Sequence, residues 1–275
     1  MGDNLIYARI NIEREPDMDK SNPQYASTMA RMGLTRHGLG VSIWLTICYP
    51  QIMRGTNELC SNMQFPSAIT HKCLCFQTMF LLAHGKGITY GPCHFGSLEP
   101  DSKFNTDVNV ASPRAGKTFP FFHFFSDANL DVNSVTGGVG MLACGLIMGI
   151  SQRQHLKAPC VHTAEVVAAS TNLNLLVPVS GVLQEMRIRK GAKVMFYLDS
   201  KTTVFVAKSD TAIKKSVWLI RRAAVLEDGV ANGEIEPIHI SEKDMAADPF
   251  TKYLTRDVWL RHMAFALNFC LVTRS

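Results

Sequence analysis

The chain has 275 residues, 47% of them hydrophobic and 19% charged, with a formal net charge of +5. That composition excludes disorder throughout and supplies enough apolar material for one large domain or two small ones. The modest basic excess favours a polyanionic partner without demanding one, and eight scattered cysteines lack the spacing of a zinc site or the density of a disulfide scaffold, so reduced thiols in cytosol or nucleus are expected.

The first residues, MGDNLIYARI, lack the basic head and apolar stretch of a signal peptide, and secretion is not expected. The longest uncharged apolar run, residues 137–150, is short of the roughly 18 to 20 residues that a bilayer span needs, so no membrane partner is expected. Residues 1–24 read as a loose lead-in interrupted by Pro16 and Pro23. Over residues 25–90 apolar side chains recur at helical spacing (Met29, Met32, Leu34, then Val41, Trp44, Leu45, Cys48, then Met79, Leu82), which predicts three helices punctuated by Pro50 and Pro66. His71, Cys73 and Cys75 cluster there without a matching second half, and read as buried small side chains rather than metal ligands. Residues 91–118 turn to Gly, Pro, Ser, Asp and Asn, a linker between this helical region and a second domain over 119–275.

In the second domain the pattern changes to short apolar runs. Residues 119–125, 138–143 and 146–151 predict three strands, the first ending at Ser126 and Asp127. Residues 163–186 predict a helix with Thr163 and Glu165 in its first turn and a bend at Pro178. A strand over 194–198 ends at Asp199 and a helix follows; a further helix over 212–230 stops at Asn232-Gly233. A last strand over 234–240 and an amphipathic helix over 257–272 close the chain. Three consecutive strands make an antiparallel meander, and strands separated by helices make parallel crossovers. The expected fold is therefore α/β, a mixed five-stranded sheet with helices on its faces.

Such a sheet gathers acids at one rim. Asp127 is expected at the end of the first strand, Glu165 at a helix start, Asp199 at the end of the fourth strand and Asp248 in the segment after the fifth. Converged carboxylates repel one another unless a hard divalent cation lies among them, which points to Mg²⁺ or Mn²⁺. Two such ions about 4 Å apart would serve phosphodiester hydrolysis. Taken singly, each acid is also explained as a turn residue or helix cap.

The segments FFSDANLDVNSVTGGVGMLACG, APCVHTAEVVAAS, VMFYLDSKTTVFVAKSD and VLEDGVANGEIEPIHISEKDMAADPFTKYLTRDVWLRHM occur in an order that resembles the ribonuclease H domain of copia-type retrotransposon polyproteins. The resemblance covers residues 119–267, and Ala247-Asp248-Pro249-Phe250-Thr251-Lys252 is its most specific part. It implies a ribonuclease-H-like sheet and four metal-binding acids at Asp127, Glu165, Asp199 and Asp248. The implied activity is cutting the RNA strand of an RNA:DNA hybrid. The preceding helices diffusely resemble the end of the reverse transcriptase in such polyproteins, and the polymerase's Tyr-x-Asp-Asp motif is absent, so polymerase activity is not expected. Asn129 and Leu130 replace an acid and a tryptophan usual in the family, Val161-His162-Thr163 replaces Ser-Thr-Glu, and Ile213-Lys214-Lys215-Ser216 departs from a Thr-Lys-His stretch. A non-catalytic nucleic-acid-binding or scaffolding copy is therefore the alternative reading.

Arg187, Arg189, Lys190 and Lys193 form a basic run, and Lys214, Trp218, Arg221 and Arg222 share one helix face. Both groups read either as phosphate contacts for a hybrid or as solvated surface, with Trp218 assigned to the core. His239 and His262 read as structural, although a histidine near the fourth acid suits proton shuttling.

Overall fold

The computed structural model describes residues 24–64, 66–85, 87–88, 122–142, 145–155, 157–187, 193–209 and 217–267. The chain divides into two compact units, Met1–Gly87 and Ile88–Ser275. The lead-in and the linker expected over 91–118 lie outside the described residues.

The first unit has three helices, as expected, but α1 (Tyr25–Cys48) takes in both the Met29–Leu34 and the Val41–Cys48 groups, α2 (Met53–Cys60) lies between Pro50 and Pro66 where no periodicity had been singled out, and α3 (Ala68–His84) carries Met79 and Leu82. Proline acts at each junction: Pro50 opens a short 3-10 turn after α1, and Ser67, following Pro66, caps α3 by accepting from the Thr70 amide at 3.2 Å. Leu39, Leu59 and Leu74 meet as a small core. Two polar ties reinforce it, Thr35 Oγ1 with His71 Nδ1 at 2.9 Å and Gln77 Nε2 donating to Thr56 Oγ1 at 2.8 Å.

The second unit is built on strands β1 (Phe122–Asn129), β2 (Val135–Leu142), β3 (Gly145–Arg153), β4 (Val194–Leu198) and β5 (Ile235–His239). Their order across the sheet is β3-β2-β1-β4-β5. The pairs β1–β2 and β2–β3 are antiparallel, and β1–β4 and β4–β5 are parallel. This is the mixed five-stranded sheet that the sequence pattern predicts. Helices α4 (Val161–Glu185), α5 (Lys201–Lys208), α6 (Val217–Ala231), α7 (Asp248–Thr251) and α8 (Arg256–Leu267) surround it.

Strand alternation distributes the core over two faces. Phe124 and Phe196 stack at 5.5 Å and join Leu173 and Leu176 of α4, Leu226 of α6 and Ile235 on one face. Phe125 and Tyr197 stack at 4.8 Å on the other, where Phe265 of α8 meets Phe125 edge-on at 5.7 Å. Each fully buried aromatic of this size contributes on the order of 2 to 3 kcal/mol of transfer free energy.

Three expectations need correction. Strand β1 does not end at Asp127: β2 continues the ladder through Asp127↔Gly137 to Asn129↔Val135, so the acid lies inside the strand. Helix α4 starts two residues earlier than expected, because extended Cys160 (φ −157°) sets its entry without a side-chain cap. Glu165 consequently falls in the second turn. Finally, α4 is long and apolar enough by length and composition to span a bilayer, which the run at 137–150 had not suggested. Half of that stretch is buried inside the protein, as the central helix of the sheet's core.

Candidate metal centre

Four elements bring acidic side chains toward the C-terminal ends of the parallel strands β1 and β4. Asp127 descends from β1 and is fully buried. Asp199 immediately follows β4 and is held at the strand-to-helix junction because Ser200 caps α5, its Oγ accepting from the Thr203 amide at 3.2 Å. Glu165 reaches across from α4, and its Oε1 accepts from the Ala128 amide of β1 at 3.3 Å. Asp248 opens α7, where Pro249 suits the first turn because its missing N–H has no partner to lose there.

Glycines in β2 permit the close approach. A methyl group at Gly137 would collide with Thr251 of α7 and sit 3.0 Å from the Ala247 carbonyl. One at Gly138 would press at 2.9 Å on Asn172 Oδ1 of α4. The adjacent positions thus clear opposite faces of the sheet for α7 and α4. Asn172, fully buried, donates to Ser126 Oγ and to the Gly137 carbonyl at 2.8 Å each, fixing α4 over the strand that carries Asp127.

Asp127, Glu165 and Asp199 each present an oxygen, and the three oxygens lie within 4.8 Å of one another. Asp248 is not in that trio. Its Oδ1 accepts from Lys252 Nζ at 2.9 Å, and the same ammonium lies 3.3 Å from Asp127 Oδ1. Asp127 Oδ2 accepts from the Thr251 hydroxyl in a short hydrogen bond. Thr251 and Lys252 lay inside the most specific motif of the sequence but carried no assigned role. The spacing of Asp248 and Lys252, i and i+4, was the available signal.

The electrostatics follow from this crowding. Burial and the neighbouring Asp248 charge push the Asp127 carboxyl up to about 7, against the opposing pull of Lys252 and Thr251. Burial, then the charges of Asp127 and Asp199, raises Glu165 well above the usual carboxylate range. Burial likewise raises Asp199 and Asp248, although Lys252 opposes both. Lys252 moves upward because Asp127, Asp248 and Asp199 outweigh the cost of its own burial. One ammonium among four carboxylates leaves an excess of negative charge in a dry site. Glu165 Oε2 is buried without a hydrogen-bond partner, although Glu165 is only 3% exposed. An all-oxygen donor set with an orphaned carboxylate oxygen fits a hard divalent cation.

His262 of α8 is buried and its imidazole is lowered to about 4 by burial and by nearby Arg261 and Lys252, so it is neutral near pH 7. His239 ends β5, opposite Leu198 and close enough to Asp199 to draw that carboxyl downward.

Among the described residues, the basic side chains are dispersed. Lys193 precedes β4 and Asp199 follows it, so they stand at opposite rims, and Lys193 pairs with Glu236 Oε2 at 3.6 Å. Arg187, exposed and in the left-handed region (φ 58°), follows the C-terminal end of α4, about 30 Å along the helix from Glu165. On α6, Arg221 is exposed, Arg222 is half-buried and Trp218 packs against the core. Arg189, Lys190 and Lys214 lie outside the described residues.

No protein-family model matches the chain, and no curated protein matches it. Among solved structures, the N-terminal RNase H domain of rv2228c from Mycobacterium tuberculosis, determined as a fusion with maltose-binding protein, is similar at 14% identity and a TM-score of 0.35, over 52% of this chain and 96% of that one. LC11-RNase H1, isolated from compost by a metagenomic approach, is similar at 16% identity and a TM-score of 0.38, over 49% of this chain and 94% of that one.

Proposed function

We propose that the second unit is a metal-dependent endonuclease that cuts the RNA strand of RNA:DNA hybrids, within a retrotransposon polyprotein of copia type acting in cytosol or nucleus. The observation that carries this reading is the convergence of Asp127, Glu165 and Asp199 from β1, α4 and the end of β4, with oxygens within 4.8 Å of one another. A divalent cation, Mg²⁺ or Mn²⁺, held by those carboxylates supplies Lewis acidity toward a water and a phosphodiester.

The chain's own residues prepare that chemistry. Thr251 and Lys252 fix the Asp127 carboxylate by bonding one oxygen each, so its orientation is set before any substrate arrives. Glu165 is held through the Ala128 amide, which leaves Oε2 available. Asp199, only half-buried, is the acid nearest to solvent and gives the site an open side. Recognition of a hybrid would rest on phosphates, sugar hydroxyls and groove shape.

Strand-labelled RNA:DNA hybrid, duplex DNA and duplex RNA incubated with Mg²⁺ or Mn²⁺ test the reading. Cleavage confined to the RNA of the hybrid, lost in Asp127→Asn and Asp199→Asn, is the expected result. Failure to cut hybrid with either ion would leave the non-catalytic binding copy. Cleavage of duplex DNA would point to an integrase-like nuclease of the same fold.

A further inference from the structure

We propose that Lys252 occupies one of the two cation positions of this carboxylate cluster, so that the chain takes a single divalent ion, held by Asp127, Glu165 and Asp199, while Asp248 serves to hold the lysine. The inference rests on the metal-centre reading above and concerns its stoichiometry.

Two ions about 4 Å apart need a bridging carboxylate that offers one oxygen to each, and further oxygens on both sides. Asp127 is the central acid, and its two oxygens are already divided: Oδ2 accepts from Thr251, and Oδ1 faces Lys252 Nζ at 3.3 Å. On that side Asp248 Oδ1 is bonded to the same ammonium at 2.9 Å. Two of the oxygens that a second ion would draw on, Asp127 Oδ1 and Asp248 Oδ1, are therefore those that Lys252 engages. On the other side Glu165 Oε2 is buried and without a partner, and Asp199 borders it. The site is thus asymmetric, with one side supplied with an ammonium and the other with an orphaned oxygen.

Backbone geometry makes the ammonium a fixture. Lys252 follows the last residue of α7 and its amide closes the turn onto the Asp248 carbonyl at 2.8 Å, which holds its side chain over the acid four residues earlier. Its side chain is 28% exposed and its ammonium is bonded to both carboxylates. A resident monovalent cation repels a divalent one at close range and excludes it sterically.

Mn²⁺ titration of the full chain by calorimetry, with electron paramagnetic resonance of the bound ion, tests this. The wild-type chain should bind one Mn²⁺ with the spectrum of an isolated ion. Lys252→Met, which keeps the side chain's length but removes its charge, should bind two with a spin-coupled spectrum, and the first about tenfold more tightly or better. Lys252→Arg should retain one. Two ions in the wild type, or one in Lys252→Met, would overturn the inference while leaving the metal centre intact. No Mn²⁺ bound by any variant would remove the metal centre itself. If Lys252→Met does not fold, the wild-type spectrum decides: an isolated ion supports the proposal and a coupled pair overturns it.

Discussion

Asp127 concentrates the energetic tension of this protein. A carboxylate with no exposure, beside other acids, retains its proton up to about 7 in the folded chain, whereas the ordinary value is 3.8. Between those values the folded state binds more protons than the unfolded one, so raising the pH favours unfolding. Asp127 by itself sets an upper limit of about 4 kcal/mol on that loss. Glu165, Asp199 and Asp248, all raised, act in the same direction. Lys252, also raised, contributes stability that is fully present below its ordinary value of 10.5 and does not change across this window. The melting temperature in chelator should therefore fall from pH 5 to pH 8, and millimolar Mn²⁺ should restore it at pH 8. Asp127→Asn should flatten the pH dependence and melt no lower than wild type at pH 8, because an amide relieves the repulsion and still accepts from Thr251. A chelated wild type that is more stable at pH 8 than at pH 5 would contradict the assigned charge states.

At the scale of elements, the site depends on how closely α7 and α4 approach the sheet. Gly137→Ala should separate α7 from β2, weaken the Thr251–Asp127 bond and cost about 1 to 3 kcal/mol. Gly138→Ala should act from the opposite face, through Phe124 and Asn172. Melting temperature reads both, and Mn²⁺ affinity should respond more to Gly137→Ala because α7 carries Thr251, which orients Asp127. Helix α6 offers a second test. Leu219, Ala223, Leu226 and Gly229 form its buried face, and Trp218 and Arg222 flank it one turn apart. A fully buried tryptophan costs about 3 to 5 kcal/mol on truncation, and half-buried Trp218→Ala should cost roughly half of that. If hybrid affinity falls instead at an unchanged melting temperature, Trp218 is a stacking platform. Arg221→Ala, at an exposed position, should leave stability unchanged. It should lower the salt dependence of hybrid binding by about 0.9 if the side chain contacts a phosphate on a B-form scale.

For the whole molecule, the two units have different internal support. The first encloses a small core around Leu39, Leu59 and Leu74 and leaves Trp44 and Leu82 exposed at 75% and 85%. The second surrounds its sheet with helices on both faces and positions the acids at one rim. Lys193 and the end of α4 lie toward the other rim, and a substrate that touched both would have to extend along the strands. A hybrid bound only at the acid rim predicts that Lys193→Ala leaves affinity unchanged, since that lysine is engaged with Glu236.

Alternating apolar runs and punctuation were enough to determine the five strands and their mixed directions, whereas the helices of the first unit were located by residues such as Met29, Leu34, Trp44, Met79 and Leu82 that the fold leaves exposed. The four acids were singled out by an ordered set of motifs, although only Asp199 and Asp248 stand at an element boundary. The lysine among them was not. That Lys252, paired with Asp248 by its i, i+4 spacing, also reaches Asp127 depends on the depth at which α7 sits over Gly137. That depth is set by contacts between residues more than a hundred positions apart. The opposite rims of Lys193 and Asp199 were already implied by their places before and after the strand expected over 194–198. Charge type is written in the sequence, but which charges share a dry volume, and hence which carry protons, cations or each other, is decided only when the sheet and its helices close.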